Sequence, residues 1–198
     1  AWLNSDDYYL PGALEAVARS YVARGGAVGI VGGGLMVSER GRTLRRAQPG
    51  PLDFESVLRW KEPCIFQPSC FFPAPHFRAV GGVDENRRYA MDIDLWLKLL
   101  RRTSFHAVDA LLAAARTHES AKTVAHGREM FVEHCLVQLS YGGQKAAQAR
   151  IEDLYDKFEA LTAKVRPFAH NPLYRLIRPV LKRIAPARRP DGEKSEGY

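Results

Sequence analysis

The feature that most restricts the fold of this chain is an amphipathic helical segment followed at once by an apolar strand-like segment. Pro11 suits the first turn of a helix over residues 11–24, and Gly25-Gly26 supplies its end. Residues 27–38 are mostly apolar and predict a strand. A helix that leads directly into a strand predicts an α/β fold. The helical spacing is carried by Leu14, Val17, Ala18, Tyr21 and Val22.

The rest of the chain continues this mixture of elements, and we find no internal repeat. The predicted segments, in order, are an irregular polar stretch at 39–63, a buried strand broken near Pro68 at 64–72, a helix at 92–102, one or two strands at 104–115 and mainly helix at 121–165.

Three consecutive glycines, Gly32-Gly33-Gly34, lie inside the predicted strand at 27–38. The spacing does not match a phosphate-binding loop, because no Lys-Ser or Lys-Thr pair follows and no helix begins there. Glycine in a strand more often marks a bulge or a close approach of another part of the backbone. We therefore predict a bulge or a close approach at this position.

Composition and charge limit the function classes. The chain has 198 residues, 46% of them apolar, which is enough for one core, and no apolar run of about 18 residues that would span a membrane. Residues 1–163 hold 20 Lys and Arg against 19 Asp and Glu, whereas residues 164–198 hold 9 against 3. The body lacks the basic surplus of a nucleic-acid-binding core. Three cysteines without a Cys-x-x-Cys spacing favour a reduced, cytosolic compartment.

A cluster of oxygen-bearing side chains, Asn4-Ser5-Asp6-Asp7, directly follows the apolar pair Trp2-Leu3. Such a cluster at a strand end suits a hard divalent cation that also carries phosphate ligands. The acidic residues have an alternative role, since Asp before a helix that begins near Pro11 caps its N-terminus or complements its dipole. The residues alone leave both interpretations open.

Several segments in order carry a resemblance to a known enzyme family. Residues 3–14 (LNSDDYYLPGAL) resemble the metal-binding segment of family-2 glycosyltransferases, and residues 67–72 (QPSCFF) resemble its acceptor-side strand. Residues 80–85 (VGGVDE) and 89–99 (YAMDIDLWLKL) are similar to the Gly-Gly-x-Asp-Glu and Asp-x-Asp-Leu-Trp signature of that family. Residues 117–123 (THESAKT) resemble its later His-x-x-Ser segment.

The resemblance implies the C-terminal portion of a GT-A fold, in which helices flank a mostly parallel sheet. We expect a partial catalytic domain over 1–125, from the metal-binding segment to the acceptor side, and a helical extension over 126–170. A basic amphipathic segment and a disordered tail are expected over 171–198. The family's base- and ribose-binding strands precede the Asn-Ser-Asp-Asp segment. We therefore expect a chain truncated at its N-terminus that alone binds donor poorly and turns over little.

The resemblance also implies how the donor is held. Asp6 would hold a Mg²⁺ or Mn²⁺ ion on the donor diphosphate, with Asp7 beside it. Asn4 stands where the family most often has Asp; it still offers an oxygen, suited to a ribose hydroxyl, but one negative charge fewer. Metal dependence is therefore open. His118 would help to bind the metal or diphosphate, or it is a surface or loop histidine.

On the acceptor side, the resemblance assigns Asp92 as general base, with displacement that inverts the anomeric configuration. The residues alone equally allow Asp92 to be the N-cap of the helix at 92–102. For Asp94 we favour a first-turn acid that complements the helix dipole, since residues two apart on a helix do not face each other.

Three further residues are acceptor-side candidates, each with an alternative. Asp84 and Glu85 either contact the acceptor or lie in a solvated loop. Trp60 either stacks on a sugar or covers the core or the surface.

A basic amphipathic pattern near the C-terminus predicts contact with an anionic membrane surface. Pro179 opposes an unbroken helix, and the alternative is that the apolar stripe packs back on the domain. The stripe over residues 173–184 consists of Leu173, Leu176, Ile177, Val180, Leu181 and Ile184.

The function expected from the resemblance is an inverting glycosyltransferase of the hexosyltransferase type, acting in bacterial polysaccharide or other glycan synthesis. Its expected partners are a nucleotide-sugar donor and a glycan or lipid-linked acceptor, without nucleic acid. We expect it in the cytoplasm or peripherally on the inner face of the cytoplasmic membrane. The alternatives are an inactive fragment or relative that only binds carbohydrate or nucleotide, and a basic surface-binding module carried by the tail.

Overall fold

The computed structural model describes residues 1–60, 63–117 and 126–169. The chain divides into two compact units, Ala1–Arg150 and Ile151–Tyr198. The domain boundaries expected from the sequence stay a prediction. The basic amphipathic segment at 173–184 and His118 lie outside the described residues.

The described elements are a mixture of strands and helices, and the first three follow the strand–helix–strand order that the sequence predicts. The helices predicted at 11–24 and 92–102 and the strand predicted at 27–38 are all present. The strands are β1 (Tyr8–Tyr9), β2 (Gly29–Ser38), β3 (Thr43–Ala47), β4 (Cys70–Phe71) and β5 (Phe105–Thr117). The helices are α1 (Ala13–Ala23), α2 (Phe54–Arg59), α3 (Ala74–Ala79), α4 (Met91–Leu100), α5 (Gly127–Ser140) and α6 (Gln144–Ala169), with a 3-10 helix at Gln67–Ser69.

The sheet is mixed, so the expectation of a mostly parallel sheet is wrong for this chain. Its order is β1-β5-β2-β3, and β4 also pairs with β2. Among the described strands, only β2 and β5 run parallel; the pairs β1–β5, β2–β3 and β2–β4 are antiparallel. The connection from β2 to β3 spans only residues 39–42, which suffices for a hairpin but not for the crossover that a parallel neighbour needs.

The glycines of β2 allow a bulge and close approaches, which confirms the prediction for Gly32-Gly33-Gly34. A Cβ at Gly34 would collide with the ring of Phe66, and a Cβ at Gly32 would collide with the side chain of Leu112. The register between β2 and β5 shifts on both sides of Gly33. Side chains at these positions would therefore push the neighbouring elements off the sheet.

Helix α4 forms the centre of the core. Leu95, Leu97 and Leu99 are completely buried, and the Trp96 ring is 1% exposed. Helix α1, in contrast, does not bury the predicted stripe: Leu14 is 58% exposed. The face turned inward is shifted by one residue, with Ala13 buried.

In the second unit, α6 carries exposed apolar side chains between Ile151 and Val165. No helix among the described residues is long and apolar enough to cross a membrane.

Candidate active site

A cleft of about 710 Å³ in the first unit is the candidate site. It lies where the carboxyl ends of the parallel strands β2 and β5 meet, which is the usual location of ligand sites in α/β sheets. Its walls come from residues 2–7, 66–68, 88–92 and 115–117 and from two methionines. The lining side chains include Asn4, Ser5, Asp6, Asp7, Met36, Gln67, Arg88, Tyr89, Met91, Asp92, Arg116 and Met130.

The first wall is the Asn4–Asp7 turn, which is held by hydrogen bonds within the turn, to β5 and to the 3-10 helix. The Asp7 N–H donates to the Asn4 carbonyl oxygen at 3.1 Å, and the Asn4 side-chain Nδ2 donates to Asp7 Oδ2 at 3.0 Å. Asp7 Oδ1 accepts the backbone N–H of Arg116, in β5, at 3.2 Å. Gln67 Nε2 donates to the Trp2 carbonyl oxygen at 2.9 Å. The turn is thus fixed to both β5 and the 3-10 helix.

The electrostatics of this turn favour a positive ligand. Burial raises the pKa of Asp7, and the negative charge of neighbouring Asp6 adds to that effect, while the N–H of Arg116 and the amide of Asn4 oppose it. A cation bound beside the Asp7 carboxylate would offset both the cost of its burial and the effect of the neighbouring negative charge.

The described residues fit a divalent cation that arrives with phosphates. No group of three His, Cys, Asp or Glu side chains within the described ranges could hold a metal ion on its own. Mg²⁺ is commonly held by one or two carboxylates plus substrate phosphates, and Asp6 and Asp7 provide that number. A metal site built from protein ligands alone is not supported by these residues.

The opposite wall is the first turn of α4, where Asp92 lines the cleft. Its Oδ1 accepts the N–H of Ile93 at 2.8 Å. Burial raises the pKa of Asp92 to about 6; two backbone N–H groups lower it, and the negative charge of Glu133 raises it. A carboxyl that titrates near neutral pH suits a general base. The N-cap residue of α4 is Ala90, so the capping alternative for Asp92 is wrong by two positions.

Asp94 lies on the inner side of the same turn, with its side chain 3% exposed. Lys98 Nζ lies 2.7 Å from Asp94 Oδ2, and Arg87 Nε lies 3.3 Å from Oδ1. The Tyr141 hydroxyl donates to the same Oδ1 at 3.1 Å. Asp94 is therefore the centre of a buried ionic cluster, which is a larger role than the dipole effect expected from its position alone.

The structure brings Asp6 and Asp92 to one cleft, as the sequence hypothesis requires. The turn that carries Asp6 and the helix that carries Asp92 are distant in sequence, yet both line the cavity with Asn4 and Asp7. The catalytic and donor-binding roles of these four residues stay predictions.

The three acceptor-side candidates do not line this cleft. Asp84 accepts the N–H of Asn86 at 3.0 Å and lies 3.3 Å from Arg87, so it stabilises its own turn. Glu85 is exposed. The ring of Trp60 stacks on Trp96 at 5.5 Å between ring centroids. Trp60 is thus partly buried and packs against the hydrophobic core.

Sequence reasoning assigned no role to three side chains that line the cleft, Arg88, Tyr89 and Arg116, or to Glu133, which holds the segment before α4. Arg88 lies between the two recognisable signature segments, Tyr89 is the first residue of the second segment but has no role assigned from it, and Arg116 directly precedes the last segment. Glu133 comes from α5 and accepts three backbone N–H groups in front of α4. A signal for Glu133 is absent from the sequence, since its partners are backbone groups more than 40 residues away.

Comparison with known proteins adds two relatives. A protein named uncharacterized glycosyltransferase from Rickettsia felis and another from Rickettsia conorii are each 28% identical to this chain over 137 residues. The aligned part is 65% of this chain and 23% of each relative, so the chain matches less than a quarter of their length. No protein-family model matches the chain. These similarities support a relationship to glycosyltransferases.

Proposed function

We propose that this protein is a glycosyltransferase that moves a sugar from a nucleoside-diphosphate donor to an acceptor hydroxyl with inversion of the anomeric carbon. The observation that carries the proposal is the placement of Asp6 and Asp92 in one cleft at the carboxyl ends of β2 and β5. The names of the two Rickettsia relatives support the same class of reaction. The resemblance to family 2 and its GT-A fold supports the mechanism.

The Asn4–Asp7 turn is the proposed donor side. Asp6 and Asp7 would hold a Mg²⁺ or Mn²⁺ ion on the diphosphate, with His118 as a further ligand, and Asn4 would contact the ribose. When bound, such an ion neutralises the charge that develops on the departing diphosphate. Arg116 lines the cleft beside Asp7 and adds a positive charge for the phosphates.

Asp92 is the proposed general base. Its carboxylate takes the proton of the acceptor hydroxyl while the acceptor oxygen forms a bond to the anomeric carbon. The bond from that carbon to the diphosphate oxygen breaks on the opposite side, and its electron pair leaves with the nucleoside diphosphate. The proton is then released from Asp92 to water, which returns the carboxylate for the next cycle.

The wider setting follows from the resemblance and the charge distribution. We place the reaction in the synthesis of a bacterial polysaccharide or another glycan, with a hexose as the transferred sugar and a glycan or lipid-linked acceptor. Residues 173–184 would contact anionic lipid at the inner face of the cytoplasmic membrane. Flotation with anionic and neutral vesicles tests this contact: we expect recovery only with the anionic ones, and equal recovery in both contradicts it.

The test of the reaction class is a donor screen with the full-length protein. Nucleoside-diphosphate sugars are supplied with mixed acceptors, and released nucleoside diphosphate is measured with Mg²⁺, with Mn²⁺ and with chelator. We expect release from one donor class and a product of inverted anomeric configuration by NMR. Retained configuration would contradict the direct displacement.

A second candidate function is a relative that binds the donor without turnover. Asn4 favours it, because the residue brings no negative charge and its side-chain amide donates to Asp7. Calorimetry combined with the product assay separates the two functions. Donor binding at micromolar concentration, without product at every metal and acceptor tried, supports the binding protein.

A further inference from the structure

Glu133 closes the N-terminal end of α4 from a separate helix. Its Oε1 accepts the Arg88 N–H at 2.7 Å, and its Oε2 accepts the N–H of Ala90 at 2.8 Å and that of Tyr89. These are the three residues that lead directly into α4, and Ala90, its N-cap residue, provides no side-chain cap. Glu133 therefore accepts from α5 the N–H of the N-cap residue, as the N3 Glu of a capping box does locally, together with the N–H groups of the two residues before it.

This contact connects two elements that line the cleft, the start of α4 and helix α5. The segment that Glu133 holds contributes Arg88, Tyr89, Met91 and Asp92 to the lining. On α5, Met130 lies one turn before Glu133 and lines the same cleft. The direction in which the first turn of α4 presents Asp92 thus depends on bonds made by Glu133. A carboxylate that accepts backbone N–H groups forms stronger bonds than a neutral acceptor.

The negative charge of Glu133 also raises the pKa of Asp92. Within the described ranges, the titratable groups that interact with Asp92 are Glu133 on α5 and the Cys70 thiol on β4. The backbone N–H groups of Asp92 and Ile93 favour the ionised carboxyl, whereas burial and Glu133 oppose it. No Lys, Arg or His among the described residues interacts with Asp92 in a way that compensates Glu133.

We propose that Glu133 is a positioning residue for Asp92, which fixes the start of α4 so that the Asp92 carboxyl faces the cleft. This inference rests on the proposed role of Asp92 in glycosyl transfer. Glu133 itself does not line the cleft and takes no part in the bond-making step.

The first test needs no activity. Amide hydrogen exchange of the 198-residue chain is compared between wild type, Glu133→Gln and Glu129→Gln. Glu129 is a matched control, because it lies on the same helix, pairs with its neighbour Arg128 at 3.3 Å and does not line the cleft. We expect Arg88, Tyr89 and Ala90 to exchange at least about tenfold faster in Glu133→Gln and unchanged in Glu129→Gln. Equal exchange in all three proteins overturns the inference.

The second test distinguishes positioning from general stability. In the full-length protein, Glu133→Gln should lower kcat about tenfold and leave the donor KM within about twofold, because only the Asp92 wall is disturbed. Added to Asp92→Asn, the same change should have no further effect on kcat. Equal losses in both backgrounds would contradict the inference.

The outcomes separate this inference from the proposed function. If Asp92→Asn keeps full activity while Glu133→Gln still loosens the three amides, the proposed role of Asp92 fails but the contact stands. If Glu133→Gln does not fold, Glu133→Asp replaces it, since its shorter side chain keeps the charge but cannot span all three N–H groups. Unchanged exchange in Glu133→Asp would then overturn the inference.

Discussion

The carboxyl groups on the two sides of the first turn of α4 have opposite electrostatic surroundings. On the inner side, Asp94 is surrounded by Arg87, Lys98 and the Tyr141 hydroxyl, so its charge is compensated. On the cleft side, burial and the charge of Glu133 act against ionisation of Asp92. Asp94 therefore stabilises the fold through its ion pairs. Asp92 instead has a raised pKa, which favours its acceptance of a proton.

The largest effect should come from the cleft side. Asp92→Asn removes the proposed base, and we expect turnover to fall by about 10²–10⁴-fold while donor affinity is largely retained. The melting temperature at pH 8 should stay equal or rise, because the substitution removes a carboxylate whose charge burial disfavours. Paired measurement of product formation and thermal unfolding checks both parts. A strong loss of stability would show that Asp92 is structural like Asp94.

The second-largest effect should be a loss of stability when Asp94, on the inner side of the turn, is replaced. Asp94→Asn leaves Lys98 facing a neutral group and Arg87 with Asp84 still 3.3 Å away, so we expect a cost of up to about 3–5 kcal/mol, the range for breaking a buried ion pair. Urea unfolding of the chain measures the loss. If Asp94→Asn unfolds at the wild-type urea concentration, the ionic cluster does not stabilise the domain.

The pH dependence of activity should follow the protonation of Asp92, on the cleft side of α4. Because the pKa of Asp92 is about 6, lowering the pH below that value protonates the base and removes its ability to accept a proton. We expect kcat/KM, which reports the ligand-free protein, to be constant above pH 7 and to fall about tenfold per pH unit below 6. The same protonation favours the folded state between the ordinary pKa and 6, so activity and stability change in opposite directions there. A flat kcat/KM profile between pH 5 and 8 would contradict this assignment.

The smallest effect should come from the rim of the inner cluster. Lys98 is 28% exposed, and Asp94 keeps Arg87 and Tyr141 when Lys98 is replaced. We expect Lys98→Met to cost about 1 kcal/mol in urea unfolding, and less at high salt. A loss as large as that of Asp94→Asn would mean that Lys98 alone compensates the buried charge.

The sequence predicted the elements best where spacing and local chemistry decide the structure. The helix that carries Asp92 and the close approach at Gly34 are of this kind. β3 was missed inside the irregular stretch at 39–63, because it is a mostly exposed strand without apolar alternation. The sheet direction was wrong because a resemblance to a whole fold does not show which strands this chain itself contains.

The candidate site was predictable only in part for the same reason. Asp6 and Asp92 lie in recognisable segments, and the structure brings both to one cleft. The different environments of Asp92 and Asp94 depend on Glu133 and Tyr141, which approach from distant parts of the chain. Trp60 has the residue type of a sugar-stacking side chain, but its ring packs on Trp96. Tertiary contacts, rather than residue type, decide these roles.

The most direct test of the central claim, two carboxyl groups facing one bound donor, uses the three methionines of this chain. Met36, Met91 and Met130 all line the cleft, and Met91 directly precedes Asp92. Methyl NMR of the full-length protein with UDP, GDP, ADP or dTDP is recorded with Mn²⁺ and with Mg²⁺, and Met91→Leu assigns the signal. We predict that Mn²⁺ broadens the Met91 methyl signal and that Asp6→Ala abolishes the effect. A saturated Mn²⁺–nucleotide complex that leaves the Met91 signal sharp would contradict the account.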